Sequence, residues 1–164
     1  MSVDRYLDAV RARLVDDGCA VTTENLAHRR VLVGYKAHFK ALTKMHVFTV
    51  VGGADRVDEP DVRQFTEAAA NLAKSRKGQW RGAQSGVLVL PVLVTPAVDP
   101  GAVALMGKPY RLNLGGFAAM AQPVVVDVTS GEVHTFRGTR LWGFAYNGLI
   151  RKRIARYLPE PAAV

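Results

Sequence analysis

The spacing of apolar side chains predicts two well-separated helices in the first half of the chain. Residues 3–17 carry apolar side chains at helical spacing, which predicts an amphipathic helix that Ser2 caps and Gly18 ends. A second helix begins after Asp58 and ends before Gly78, with lysine and arginine in its last turn. Each helix has one apolar face, so each is expected to pack against a sheet.

Strand patterns occupy the segments beside these helices. Residues 30–39 alternate between apolar and polar side chains, whereas 19–25 and 44–51 are rich in β-branched or aromatic residues. Residues 86–94 are apolar without alternation, which is typical of a strand covered on both faces. We therefore expect 86–94 to be an interior strand. Pro91 within it indicates a bulge or an interrupted ladder.

The C-terminal part predicts a short helix, a hairpin and a final helix. A helix begins at Asp99 and reaches about residue 106, strands cover 123–128 and 132–137, and a helix covers about 143–158. The resulting order is α-β-β-β-α-β-(α)-β-β-α. It predicts one α/β domain of mixed α+β character, with helices packed on a mixed, mostly antiparallel sheet. The domain spans residues 1–158, and 159–164 form a flexible tail.

Charge is the feature of the composition that bears most on function. The net charge is +8 and the isoelectric point is near 10.0. Such a surface favours an acidic partner, and nucleic acid is the first candidate. The basic residues are mostly arginine, however, and together with abundant alanine, valine and glycine this is also what GC-rich codon usage produces. The charge alone does not distinguish these two explanations.

Basic residues cluster in two places. The stretch YKAHFKALTK contains three lysines near one hairpin, and RKRIAR lies on the last helix. If the two groups share a face, they make one basic patch that binds polyanions without reading base edges. The candidate binding residues are Lys36, Lys40, Lys44, Arg151, Lys152 and Arg156.

Other chemistries find little support in the sequence. His38 and His46 lie at the predicted hairpin, but a metal site needs three or four ligands and no carboxylate or cysteine lies between Arg30 and Val51. The stretch 101–110 has the wrong spacing for a phosphate loop. We predict no metal, no cofactor and no catalytic residue, and we favour a non-catalytic role. An enzyme with an unrecognised pocket is an alternative, which predicts a cleft lined by Asp127, His134 or His46.

The sequence also bears on location and assembly. The N-terminal residues are charged throughout, and no apolar run reaches the ~18 residues of a membrane span. Cys19 is the single cysteine, so no intrachain disulfide forms. We expect a cytoplasmic protein that does not bind membranes. A homodimer is compatible with the sequence but not indicated by it.

The order α-β-β-β-α-β over residues 3–94 resembles the core of the restriction-endonuclease-like nucleases. Members of that family place an aspartate on the second core strand and an Asp/Glu-x-Lys motif on the third. The corresponding segments here, RVLVGYKAHF and KMHVFTVV, contain no acid. The resemblance implies a module that binds nucleic acid without cutting it.

The same order, extended by two strands and a helix, also resembles the type III secretion chaperone-like fold. That resemblance implies a dimeric module that binds proteins. The helix near 99–106 and the basic charge depart from it. Our leading hypothesis is therefore a non-catalytic polyanion-binding domain, with a protein-interaction module as the first alternative.

Overall fold

The computed structural model of the chain describes residues 1–40, 43–77, 85–110, 119–138 and 146–163. These ranges contain four helices and seven strands. The helices are α1 (Val3–Asp16), α2 (Glu59–Lys77), α3 (Pro100–Met106) and α4 (Asn147–Tyr157). The strands are β1 (Ala20–Leu26), β2 (Arg29–Lys40), β3 (Thr43–Gly53), β4 (Ser85–Thr95), β5 (Ala119–Ala121), β6 (Val124–Asp127) and β7 (Val133–Thr135).

The strands form one open, mixed sheet. Its order is β1-β2-β3-β4-β6-β7, and β5 pairs with β4 beside β6. The pairs β1–β2, β2–β3 and β6–β7 are antiparallel, whereas β4 runs parallel to β3, β5 and β6. This architecture confirms the predicted α/β domain with a mixed sheet and helices packed on it. Strand β5 is one more than the sequence predicted, and the part of the last helix predicted over 143–145 lies outside the described residues.

Strand β4 has helices on both of its faces, as its unbroken apolar sequence predicted. On one face Val87, Val89 and Leu93 join a core that includes residues of α2 and α3. On the other face Val92 and Val94 join side chains of α1 and α4. All five valine and leucine side chains are at most 1% exposed. The interior position of residues 86–94 is therefore confirmed, and the domain has three layers.

Pro91 lies where the ladder beside β4 is interrupted. β5 and β6 pair with β4 in the same register, and the gap between them places Pro123 beside Pro91. The Gln122 N–H donates to the Val89 carbonyl at 2.9 Å, so odd-numbered positions of β4 direct their backbone polar groups to this side. Pro91 lacks the N–H that would donate across to this segment, so the gap leaves no unpaired donor on β4 at this position. The predicted interruption is confirmed.

Hydrogen bonds confirm the predicted starts of α1 and α2. Ser2 Oγ accepts from the Arg5 N–H at 3.3 Å at the start of α1, and Gly18 follows the helix with a φ of 74°. Before α2, Asp58 Oδ1 accepts from the Asp61 N–H at 2.8 Å, and Asp61 Oδ2 accepts from the Asp58 N–H at 3.1 Å. The two aspartates therefore cap each other's backbone, in the manner of a capping box.

The C-terminal segment, predicted as a tail over 159–164, is described as far as residue 163. Pro159 and Pro161 are buried, and Pro161–Ala163 form a short 3₁₀ turn. Tyr6 Oη donates to the Pro159 carbonyl at 2.8 Å. The segment after α4 therefore contacts α1, which places the two ends of the domain side by side.

The turn between β1 and β2 holds its two residues in the left-handed region. Leu26 pairs with Arg29, so the loop consists of Ala27 and His28, whose φ angles are 49° and 61°. Two-residue hairpins of this kind favour Asn-Gly, because glycine and asparagine tolerate positive φ. For other residues the left-handed conformation costs roughly 1–2 kcal/mol.

Relief of this strain should stabilise the protein. His28 is exposed, so His28→Gly removes little packing, and we expect it to raise the free energy of unfolding by about 0.5–1 kcal/mol. Urea denaturation measures the change. Gly131, with a φ of 81°, is the matched control, and Gly131→Ala should lower the free energy of unfolding. A His28→Gly variant no more stable than the original chain would contradict the strain argument.

A candidate cationic surface beside the last helix

One buried carboxylate, that of Asp17, binds three cations from distant parts of the chain. Its Oδ2 accepts from Arg153 Nη1 at 2.6 Å and from Tyr157 Oη at 2.7 Å, and it lies 3.1 Å from Lys36 Nζ. Its Oδ1 lies 2.7 Å from Arg156 Nε. Lys36 Nζ also donates to the Asp17 main-chain carbonyl. The end of α1 is thereby joined to β2 and to α4.

Asp17 is ionised at any ordinary pH. Desolvation of its side chain, which is 6% exposed, by itself raises the pKa of the carboxyl. The hydrogen bonds from Tyr157 and Lys36 and the charges of Arg153 and Lys36 outweigh that effect and hold the pKa below its usual value. The folded protein therefore stabilises the negative charge more than water does.

Tyr157 and Cys19 complete this buried cluster without adding a reactive group. The Cys19 thiol donates to Tyr157 Oη at 3.4 Å, and Arg153 Nη1 donates to the same oxygen at 2.8 Å. Burial raises the pKa of the Tyr157 phenol, and the contacts with Cys19 and Asp17 raise it further. Burial likewise raises the pKa of the Cys19 thiol, which disfavours the nucleophilic thiolate.

The outer side of α4 is cationic. Ile150, Arg153 and Tyr157 are the buried residues of this helix, and the intervening positions face outward. Six basic side chains lie on or beside that outward side, and we call them the cationic surface: Arg13, Lys36, Arg137, Arg151, Lys152 and Arg156. Hydrogen bonds connect its members across elements.

Two of these bonds link α4 to α1 and to the segment after β7. Arg13 Nη1 donates to the Arg156 carbonyl at 3.2 Å, and Arg151 Nη2 donates to the Arg137 carbonyl at 3.2 Å. Lys36 is one-third exposed and Arg156 about half exposed, at 33% and 52% of their side chains. Both therefore bind Asp17 and still present charge to solvent.

The structure brings some of the predicted binding residues together and separates others. Lys36 joins Arg156 at Asp17, so one hairpin lysine does share a face with the last helix. Lys44 lies on the other face of the sheet from Lys36 and pairs with Phe39 in the β2–β3 register. Its ammonium is 5.5 Å from the centre of the Phe39 ring. The side chain of Lys40 lies outside the described residues.

The two histidines of the hairpin face opposite sides of the sheet. His46 is 3% exposed, its Nδ1 lies 2.9 Å from Tyr35 Oη, and the two rings stack with centres 5.9 Å apart. His38 pairs with Met45 and therefore points to the other face. Across the described ranges, no group of three histidine, cysteine or acidic side chains is close enough to hold a metal.

A groove of about 920 Å³ runs along β7, between α3 and α4. His134 lines it, together with Glu132, Arg137 and Arg151, and apolar side chains of both helices form its walls. Of the three residues named for the enzyme alternative, His134 lines this groove, and His46 and Asp127 are not among its lining residues. Asp127 does not join it, because its Oδ1 accepts from the Thr129 N–H at 2.8 Å in the hairpin turn.

Sequence reasoning missed the centre of the site. Neither Asp17 nor Arg153 is among the candidate residues of the sequence analysis, although Arg151, Lys152 and Arg156 are. The one available signal was that Arg153 falls on the apolar stripe of α4 with Ile150 and Tyr157. A charged residue in such a stripe requires a buried partner, but the sequence does not say which acid supplies it.

Comparisons with known proteins add no family. No protein-family model, no curated protein and no solved structure matches the chain. Within the described ranges, none of the helices has both the length and the apolar character that a membrane crossing requires. The two resemblances in element order therefore remain hypotheses.

Removal of the central charge should destabilise the fold. Asp17→Asn leaves Arg153 and Lys36 without a counter-charge in a buried setting, so we expect the free energy of unfolding at neutral pH to fall by about 3 kcal/mol. Urea denaturation measures this. Asp16→Asn, at the exposed neighbouring position, is the control and should change stability by less than about 0.5 kcal/mol. Equal effects of the two changes would contradict a structural role for Asp17.

The original chain and the Asp17→Asn variant should differ in how their stability changes with pH. The folded pKa of Asp17 is lowered, so the stability that its charge contributes is fully present above the unfolded pKa of about 3.9. That stability is lost as the pH falls through the lower folded pKa. The difference in unfolding free energy between the original chain and Asp17→Asn should therefore shrink below about pH 4. A difference that stays constant across this range would show that the charge is not what stabilises.

Proposed function

We propose that this protein binds polyanions, nucleic acid in particular, through the cationic surface, and that it does so without cutting them. The observation that supports this is the charge imbalance around Asp17. Lys36, Arg153 and Arg156 all bind one carboxylate, so the cluster retains an excess of positive charge. Arg151 and Lys152 add to that excess on the exposed side of α4.

Two arginines near the start of α2 are each paired with one acid. Arg56 pairs with Asp99 at 2.5 Å, and Arg63 pairs with Glu59 at 2.7 Å. The sequence from residue 133 to 159, in contrast, contains no aspartate or glutamate at all. A compositional bias towards arginine raises the charge everywhere, whereas here several basic residues of different elements lie around a segment that contains no acid. That concentration favours a functional explanation over codon usage.

The chemistry of such a surface is electrostatic. Guanidinium and ammonium groups bind phosphate oxygens and release the counterions condensed on the polymer, so affinity falls steeply with salt. Phosphate contacts of this kind position a protein on nucleic acid but carry no sequence information. The strands that hold the metal-binding acids in the restriction-endonuclease-like enzymes, β2 and β3, carry no acid here. Binding without cleavage is the activity that fits both observations.

The groove along β7 supports a second candidate, a small-molecule site. Its volume of about 920 Å³ and its mixture of apolar walls with His134, Arg137 and Arg151 are typical of ligand pockets. The polyanion and small-molecule proposals differ in their salt dependence. A neutral small ligand in the groove would bind almost independently of salt, whereas a polyanion on the surface would not.

Removal of two surface cations should weaken nucleic-acid binding. Arg151 and Lys152 do not contact Asp17, so Arg151→Ala/Lys152→Ala should leave the fold intact. We expect affinity at low salt to fall roughly tenfold and the slope of log affinity against log salt to decrease by about 2 units, one for each lost phosphate contact. Fluorescence anisotropy with a labelled oligonucleotide measures both quantities.

The charge-matched control is Arg56→Ala/Arg63→Ala. It removes the same two positive charges, but from residues that already pair with Asp99 and Glu59. At 0.1 M salt we expect it to change binding by less than about twofold, because a long-range charge effect is screened there within about 10 Å. If both double variants weaken binding equally, or if the original chain does not bind, the cationic surface is not a polyanion site.

A further inference from the structure

Phe39 is an aromatic side chain in an unusual position. Its side chain is 69% exposed, and it is the only exposed phenylalanine or tyrosine among the described residues. Other rings, such as Phe48 and Phe65, are at most 3% exposed. A ring of this size in contact with water is not explained by the packing of the domain.

The strand that carries Phe39 extends beyond its neighbour. β1 pairs with β2 only as far as Tyr35, opposite Ala20, whereas β2 continues to Lys40. Residues 36–40 therefore have β3 on one side, and none of the described strands pairs with them on the other. This overhanging end gives an elongated ligand direct access to the ring and to the edge of the strand.

The chemistry around the ring is cationic. The Lys44 ammonium lies 5.5 Å from the ring centre, and no aspartate or glutamate occurs between residues 26 and 54. A ring beside an ammonium group can bind one nucleotide, because an unstacked base can lie on the ring while its phosphate binds the cation. Arginine or lysine without an aromatic side chain would bind phosphate alone.

The overhang follows Lys36 along β2, and the side chain of Phe39 points to the other face of the sheet from Lys36. Lys36 belongs to the cationic surface through Asp17, and Phe39 lies three residues further along the same strand. A ligand that binds both Lys36 and Phe39 has to bend around the edge of β2, where β1 no longer pairs with it, to pass from one face of the sheet to the other.

We propose that Phe39, with Lys44 beside it, stacks an unpaired nucleobase and makes the cationic surface selective for single-stranded over duplex nucleic acid. This inference rests on the proposed polyanion binding and adds the class of nucleic acid to it. In a duplex the base faces are covered by their neighbours, so the ring has no face to stack on. In a single strand every base offers one, whatever its identity.

The test compares a labelled oligothymidylate of about 20 nucleotides with a duplex of equal length, by fluorescence anisotropy at low salt. Phe39→Ala should weaken binding of the single strand about five- to hundredfold and change binding of the duplex less than about twofold. The salt slope should stay the same, because no charge is removed. Phe39→Trp should restore single-strand affinity, since its ring stacks at least as well.

The control is Val15→Ala, at a position that is 56% exposed and distant along the chain, on α1. It should leave both ligands unaffected. Urea denaturation of Phe39→Ala verifies that the fold is unchanged. The stacking proposal is overturned if Phe39→Ala binds the single strand as well as the original chain does, or loses affinity equally for both ligands.

These outcomes separate the two proposals. If the original chain binds single strand and duplex equally and only Arg151→Ala/Lys152→Ala weakens them, polyanion binding stands and the role of Phe39 is refuted. If neither ligand binds, both proposals fail. A Phe39→Ala variant whose mass in solution falls to half would instead assign the ring to a contact between two copies of the chain, and would also overturn the stacking proposal.

Discussion

The arrangement of the domain's ends depends on one buried carboxylate. A desolvated aspartate is costly unless charge and hydrogen bonds compensate it, and Asp17 is compensated by groups from β2 and α4. Because those groups are 19 and 136 to 140 residues away in sequence, the carboxylate is satisfied only when α1, β2 and α4 are all in place. The docking of α1 on α4, and the contact of Tyr6 with Pro159, lie on the same side of the sheet.

The other constraint is the double burial of β4. Its two apolar faces require helices on both sides, and the chain supplies α2 and α3 on one and α1 and α4 on the other. The layer that holds α4 is thereby fixed to the face that Lys36 occupies. The cationic surface follows from these two facts, since the same layer carries Asp17 and the outward arginines of α4.

The local charge around α4 differs from the total charge in what it says about function. A net charge of +8 describes the whole chain and is compatible with many functions. Arg56 and Arg63 are each paired with one acid, whereas Arg156 shares Asp17 with Lys36 and Arg153, and the segment from 133 to 159 contains no acid. Phe39 adds a second, independent feature, on the other face of the sheet at the overhanging end of β2. The proposed binding of nucleic acid rests on these two features, the charge and the exposed ring.

Local patterns determined most of the fold. Apolar periodicity, caps such as Ser2 and Asp58, and the unbroken run through β4 are short-range signals, so the helices, the main strands and the interior position of β4 could be predicted from them. β5 was missed because a strand of three residues contains too little pattern, and it exists only by pairing with β4.

The site was predictable only in part, for a physical reason. The sequence by itself determined that basic residues cluster on the last helix and on one hairpin. It did not determine that Lys36 lies on the face of the sheet that packs against α4 and Lys44 on the other face. Nor did it determine that His46 is buried against Tyr35, or that Arg153 and Asp17 meet inside the domain. Those facts depend on which elements pack on which face of the sheet. Tertiary structure decided them, because the free energy of a buried charge is set by partners that only the folded chain brings within hydrogen-bonding distance.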